Sequence, residues 1–141
     1  MEFYPGMDRW EELVSSVDRA HARLCAASAE LLEAVSALKE FVEDPDEPEE
    51  PITTWLAARY QEGSATVDHW DRVGEALRDL PAVREAHREG RISWDQLKPL
   101  ARFATPETDQ AHAQQVPGMS PSGLWREAQR HRRAEVQKEA E

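Results

Sequence analysis

The chain has 141 residues, 40% of them hydrophobic and 32% charged, enough for one compact domain with an extended arm. It offers no apolar run near the roughly 18–20 residues a membrane-spanning helix needs, and its one cysteine, Cys25, excludes an internal disulfide and a cysteine-built zinc cluster. A net charge of −11 argues against a phosphate partner, but residues 1–51 hold 4 Lys/Arg against 14 Asp/Glu while residues 52–141 hold 13 against 14.

The opening MEFYPGMDRW carries acids and no apolar core, so no secretory leader is expected there, and a reduced, cytoplasmic setting fits the lone thiol. From Trp10 the apolar residues fall at Leu13, Val17, Ala20, Leu24, Ala27, Leu31, Ala34, Leu38 and Phe41, in alternating steps of three and four. That is a heptad seam, with large residues at one position and mostly alanine at the other. Asp8 followed by Glu11 resembles a capping box. The pattern predicts a helix over about 8–43, roughly 50 Å long at 1.5 Å per residue. One small domain does not cover that length. The seam therefore needs a second helix, supplied by the rest of the chain folding back or by a second copy. In the second case Trp10, Leu13, Val17, Leu24, Leu31 and Leu38 form the interface of a coiled-coil homodimer of either strand direction. Cys25 falls off the seam and reads as incidental.

Residues 43–51, EDPDEPEEP, combine six acids with three prolines and are expected to form an extended linker. Short helices follow. Thr53 is placed to cap one that Gly63 stops; Ser64 or Thr66 is placed to cap the next, which ends before Pro81. Pro81 suits the first position of a helix ending at Gly90. Ser93 and Gln96 make a capping box, with Ile92 stapled onto Leu97. That helix carries Leu97, Leu100 and Phe103 and should bend at Pro99. Thr105-Pro106 opens another to about Gln115, and Ser120-Pro121 opens the last. Nothing alternates as a strand would. The expected fold is all-α: a long heptad arm (1–42), the linker (43–51) and a compact bundle of about six short helices (52–141).

Within that last region, WLAAR at 55–59, ALRDLP at 76–81, AHREGRIS at 86–93, LARFATPE at 100–107 and MSPSGLWREAQRHRR at 119–133 occur in order. Together, over residues 52–133, they resemble the actinobacterial 13E12-repeat family, domain of unknown function 222. In that family the helical region commonly precedes an HNH endonuclease domain, which implies work on DNA. The HNH motif itself is missing: the five histidines are scattered through helical contexts and no second cysteine accompanies them. The resemblance thus implies a non-catalytic, DNA-associated accessory region, without cofactor, metal or small-molecule substrate. The alternative is a dimerisation module working through the heptad helix.

For DNA, the best candidate is the last helix. Arg126, Arg130 and Arg133 share one face, with Arg132 and His131 alongside, and such a row suits phosphate contacts that carry no base reading. A solvated tail or a connector explains the same residues. The pair of helices around Gly63 has helix-turn-helix size, offering Thr66, Asp68, His69, Asp71 and Arg72, but two carboxylates there repel phosphate. The Gly90–Ser93 corner reads as structural. Trp55, Trp70, Trp94 and Trp125 sit at helical spacing among apolar neighbours and are expected in the core. His69 has no nucleophile or third group placed with it, so no catalytic role is expected.

Overall fold

The computed structural model describes residues 5–42 and 51–140. Apart from Pro51, the expected 43–51 linker lies outside them. Among the described residues the chain is all-α, a long first helix followed by six shorter ones. These are α1 (Pro5–Val42), α2 (Ile52–Tyr60), α3 (Ser64–Leu77), α4 (Pro81–Arg88), α5 (Trp94–Leu100), α6 (Asp109–Gln115) and α7 (Pro121–Ala140), with a 3-10 turn at Val116–Gly118 between the last two.

Several starts follow the expected chemistry. The Ser93 hydroxyl accepts from the Gln96 amide at 3.1 Å while the Gln96 carbonyl oxygen accepts from the Ser93 amide at 2.9 Å, closing the capping box. Pro81 is the first residue of α4 and Pro121 of α7. Ile92 and Leu97 are both fully buried in the main core.

Other starts differ. α1 begins at Pro5, leaving Asp8 inside its first turn, where its charge complements the helix dipole. α2 starts at Ile52 with no side-chain cap, so Thr53 does not play that part. α2 ends on Gln61, which takes the left-handed conformation at φ 56°, and Gly63 sits ahead of α3 instead of ending α2. α5 ends at Leu100, one residue past Pro99, and Phe103 lies in the turn beyond it. The 106–108 segment is a turn, so α6 begins at Asp109.

The main core gathers Leu32 of α1, Val73 and Leu77 of α3, Leu80, Val83, Ala86, Ile92, Leu97, Leu100, Ala113, Val116 and Leu124. A second cluster joins Val35, Leu56 and Val67, with Leu38 and Trp70 packed on it. α1 therefore serves as a wall of the bundle along its second half. It docks through Cys25, Ala29, Leu32, Val35 and Ser36, all buried. Gly74 makes this approach feasible, because a Cβ there would come within 2.8 Å of the Leu32 carbonyl oxygen. Buried polar groups tie the wall in place. The His87 ring nitrogens lie 2.7 Å from the Ile92 carbonyl oxygen and 2.9 Å from the Ser28 hydroxyl. The ring thus donates to the carbonyl and accepts from the hydroxyl.

Before Ala22, α1 has no such support: residues 6–21 are all exposed. At 1.5 Å per residue this projecting arm is about 24 Å long.

Candidate interaction surfaces

The bundle occupies one side of α1 and leaves the heptad seam on another. In heptad terms Cys25, Leu32 and Lys39 are b, Ser28 and Val35 are e, and Ala29 and Ser36 are f. Those positions point roughly a third of a turn away from the a/d seam. Of the six expected interface residues, Trp10 and Leu24 are 66% exposed and Val17 is 67% exposed. Leu13 and Leu31 are also exposed, and Phe41, the last seam residue, is 88% exposed. Leu38 differs: it is half-buried against the cluster of Val35, Leu56 and Val67. The chain does fold back onto its long helix, but on a face that the heptad does not mark. Cys25, read as incidental, is one of the residues that dock it. Its Sγ lies 3.7 Å from His21 Nε2, and burial raises the thiol's pKa, which keeps it a poor nucleophile.

The second surface is cationic. Arg126, Arg130, Arg132 and Arg133 are all exposed on α7. Arg130 pairs with Glu127 one turn earlier, and His131 lies 3.4 Å from the same carboxylate. Arg126, Arg132 and Arg133 form no ion pair among the described residues. None of these guanidinium groups is tied to a carboxylate of α1. Folding adds two arginines that the helical row did not include. Burial lowers the Arg102 pKa, and the positive charges of Arg72 and Arg132 push it the same way, so α3, the turn after α5 and α7 contribute to one basic patch. Arg102 also sits 5.2 Å above the Trp125 ring. Beside it Phe103 stacks on His131 at 4.9 Å and meets His112 edge-on at 5.4 Å. Such long-range convergence leaves no periodic mark in the sequence.

The α2–α3 pair has a different occupation. Asp71 and Glu75 of α3 face α1, where they bind the Lys39 ammonium at 2.9 and 3.4 Å. The bond to Asp71 is the main cause of a Lys39 pKa above its ordinary value. Val67, Val73 and Leu77 of α3 are buried, and the His69 ring donates to the Ala65 carbonyl at 2.8 Å. The helix is a central strut, and His69 is placed as a helix-surface residue with a backbone partner. At the Gly90 corner, φ is 84° and a Cβ would lie 3.3 Å from Ala22 Cα. The corner rests against α1, as a structural joint would.

Trp70 and Trp94 pack half-buried on the main core and Trp125 lies half-buried under Arg102. Trp55 corrects the expectation of a core residue. It is 48% exposed, because the short α2 packs inward through Leu56 with Ile52 and Ala57 beside it, and the Arg59 guanidinium covers the Trp55 ring at 5.2 Å. A cleft between α1, α3 and α4 has Glu33, Glu40, Arg78 and Arg84 on its walls, and Arg78 bonds Glu40 across it at 2.6 Å.

Among the described residues no three His, Cys, Asp or Glu side chains stand together to hold a metal ion, and no helix is long and apolar enough to cross a membrane. Comparison with family models, with curated proteins and with solved structures finds no match to this chain.

Proposed function

We propose that this chain is a non-catalytic helical assembly module that pairs with a second copy through the a/d seam of α1. One observation carries the reading. The heptad stripe is solvent-facing from Trp10 to Ala34 and again at Phe41, with only Leu38 half-buried, although the same helix is firmly docked on another side. Apolar surface of this kind is worth roughly 25 cal/mol per Å² when removed from water. Contiguous exposed stripes of it mark interaction sites. The likeness of residues 52–133 to the helical region of 13E12-repeat proteins supports an accessory role beside an HNH-type nuclease. The lone, buried Cys25 fits a reducing, cytoplasmic setting.

Light scattering at high micromolar concentration tests the pairing. We expect a mass near twice the chain's 16.1 kDa, and a monomer with an unchanged helical spectrum for Leu24→Glu. A monomeric parent chain contradicts the reading.

A second reading, association with DNA, is favoured by the unpaired arginines of α7 beside Arg72 and Arg102. In it Arg126, Arg130 and Arg133 contact phosphates with no base reading. Binding of this kind weakens steeply with salt. Gel-shift measurements at low and moderate salt test it, and an Arg126/Arg130/Arg133→Ala variant that binds as well as the parent chain contradicts it.

A further inference from the structure

The seam carries a direction as well as an apolar face. Its a positions hold Trp10, Val17, Leu24, Leu31 and Leu38, all large or medium, while its inner d positions are Ala20, Ala27 and Ala34. In a parallel pair a faces a and d faces d. Layers would then alternate between two large residues and two alanines, crowded and hollow by turns, against the uniform density that packed interiors keep. In an antiparallel pair each a residue faces a d residue of the other helix, and every inner layer joins one large side chain to one small.

Charge then selects the offset. The exposed g edge of the seam runs Arg9, Ser16, Arg23, Glu30, Ala37. Arg23 and Glu30 form no ion pair among the described residues. With Leu24 set against the partner's Ala27, Arg23 meets the partner's Glu30, and symmetry makes that contact twice. An overlap one heptad shorter sets Arg23 against the partner's Arg23 in one direction of shift, or Glu30 against the partner's Glu30 in the other. An overlap two heptads shorter uses Arg9, which already bonds Glu12 at 3.3 Å, and leaves the 88% exposed Phe41 uncovered. A parallel pair gains nothing here, because its g residues face Val14, His21, Ser28, Val35 and Val42 at e, which include no carboxylate. Two of these, Ser28 and Val35, are turned to the bundle.

Resting on the pairing proposed above, we infer that two copies join through α1 in the antiparallel sense, centred between Leu24 and Ala27. Val17 then packs on the partner's Ala34, Leu31 on the partner's Ala20, and Trp10 on the partner's Phe41. The overlap from Trp10 to Phe41 is about 47 Å long at 1.5 Å per residue.

Disulfide trapping separates this arrangement from its rivals. In a Cys25→Ala background, Val17→Cys and Ala34→Cys are made as separate chains, one carrying a tag of distinct mass, then mixed and oxidised. Both sites are exposed, so neither change disturbs the folded monomer. We expect the mixed disulfide to form and neither variant to link to itself, since like positions lie 17 residues, or about 25 Å, apart along the pair. Self-linking of each variant means a parallel dimer, which overturns the inference and leaves the pairing intact. A dimer by light scattering that gives neither link overturns it as well. A monomer overturns both.

Discussion

At Gly74 the backbones of α3 and α1 come so close that a methyl group would press on the Leu32 carbonyl oxygen at 2.8 Å. The residue sits mid-helix, where alanine alone would favour folding by roughly 1 kcal/mol. Overpacking against a rigid backbone atom costs about 1–3 kcal/mol and wins. Gly74→Ala is therefore expected to lower the melting temperature, whereas Gly118→Ala, with open space around it, should leave that temperature unchanged or raise it slightly. Asp109 makes a similar point about long reach. Its carboxylate accepts from the Ala82 and Val83 amides at 2.8 and 2.9 Å, capping α4 across 27 and 26 residues of sequence. Leu80, the local cap position, has no side chain able to do this. Removing the carboxylate orphans two backbone donors, one of them buried, so Asp109→Ala should cost about 1–3 kcal/mol in denaturant unfolding; a loss under ~0.5 kcal/mol would contradict the capping role. Neither residue announces itself in the sequence. The glycine's role depends on a helix 42 positions earlier, and the aspartate's on two amides in another element.

Helix α1 shows what periodicity reveals and what it hides. The a/d seam was legible because Trp, Leu, Val and Phe recur at strict spacing. The docking face was not, since Cys25, Ala29 and Ser36 are small and only Leu32 and Val35 stand out as aliphatic. Small residues are what a close helix contact needs, yet they carry little hydrophobic signal. Helix starts were readable where a local side chain or proline supplies the cap, as at Ser93, Pro81 and Pro121. They were missed at α2 and α3, which begin without a side-chain cap. The two faces of α1 should separate cleanly in experiment. Leu32→Ala is expected to cost roughly 2–5 kcal/mol in chemical denaturation, as buried leucines do. Leu24→Ala should change the monomer's stability by less than about 0.5 kcal/mol, as surface substitutions do, and weaken pairing instead.

The α1–α4 junction should also respond to pH. Burial is the main cause of the lowered pKa of His87, opposed by its bond to Ile92 and assisted by His21; burial also lowers that of His112, with His131 adding to it. Well above the ordinary value of 6.5 both rings are neutral folded and unfolded, and the His87 hydrogen bonds to Ile92 and Ser28 are fully available. As pH falls below 6.5 the unfolded chain takes up protons that the folded one resists, so stability declines until the folded pKa values are reached. Denaturant midpoints measured from neutral to mildly acidic pH should fall, and fall less steeply in His87→Gln.

Across the whole molecule, charge and apolar surface are sorted by region. Residues 1–51 carry a large acidic excess, and the bundle region is nearly neutral with its basic edge at Arg72, Arg102 and α7. That edge was half legible: the α7 arginines share a helical face, whereas Arg72 and Arg102 join them only through tertiary packing. The architecture among the described residues, seven helices with one long arm, followed from helix punctuation and heptad spacing, because those signals are local.

On this account residues 6–21, exposed along their whole length, are held by a second copy. Amide hydrogen exchange along α1, followed against protein concentration, tests this most directly. We expect protection of this arm at high concentration that disappears on dilution and in Leu24→Glu, while the amides around Leu32 stay protected throughout. Exchange in the arm that is equally fast at every concentration would contradict it.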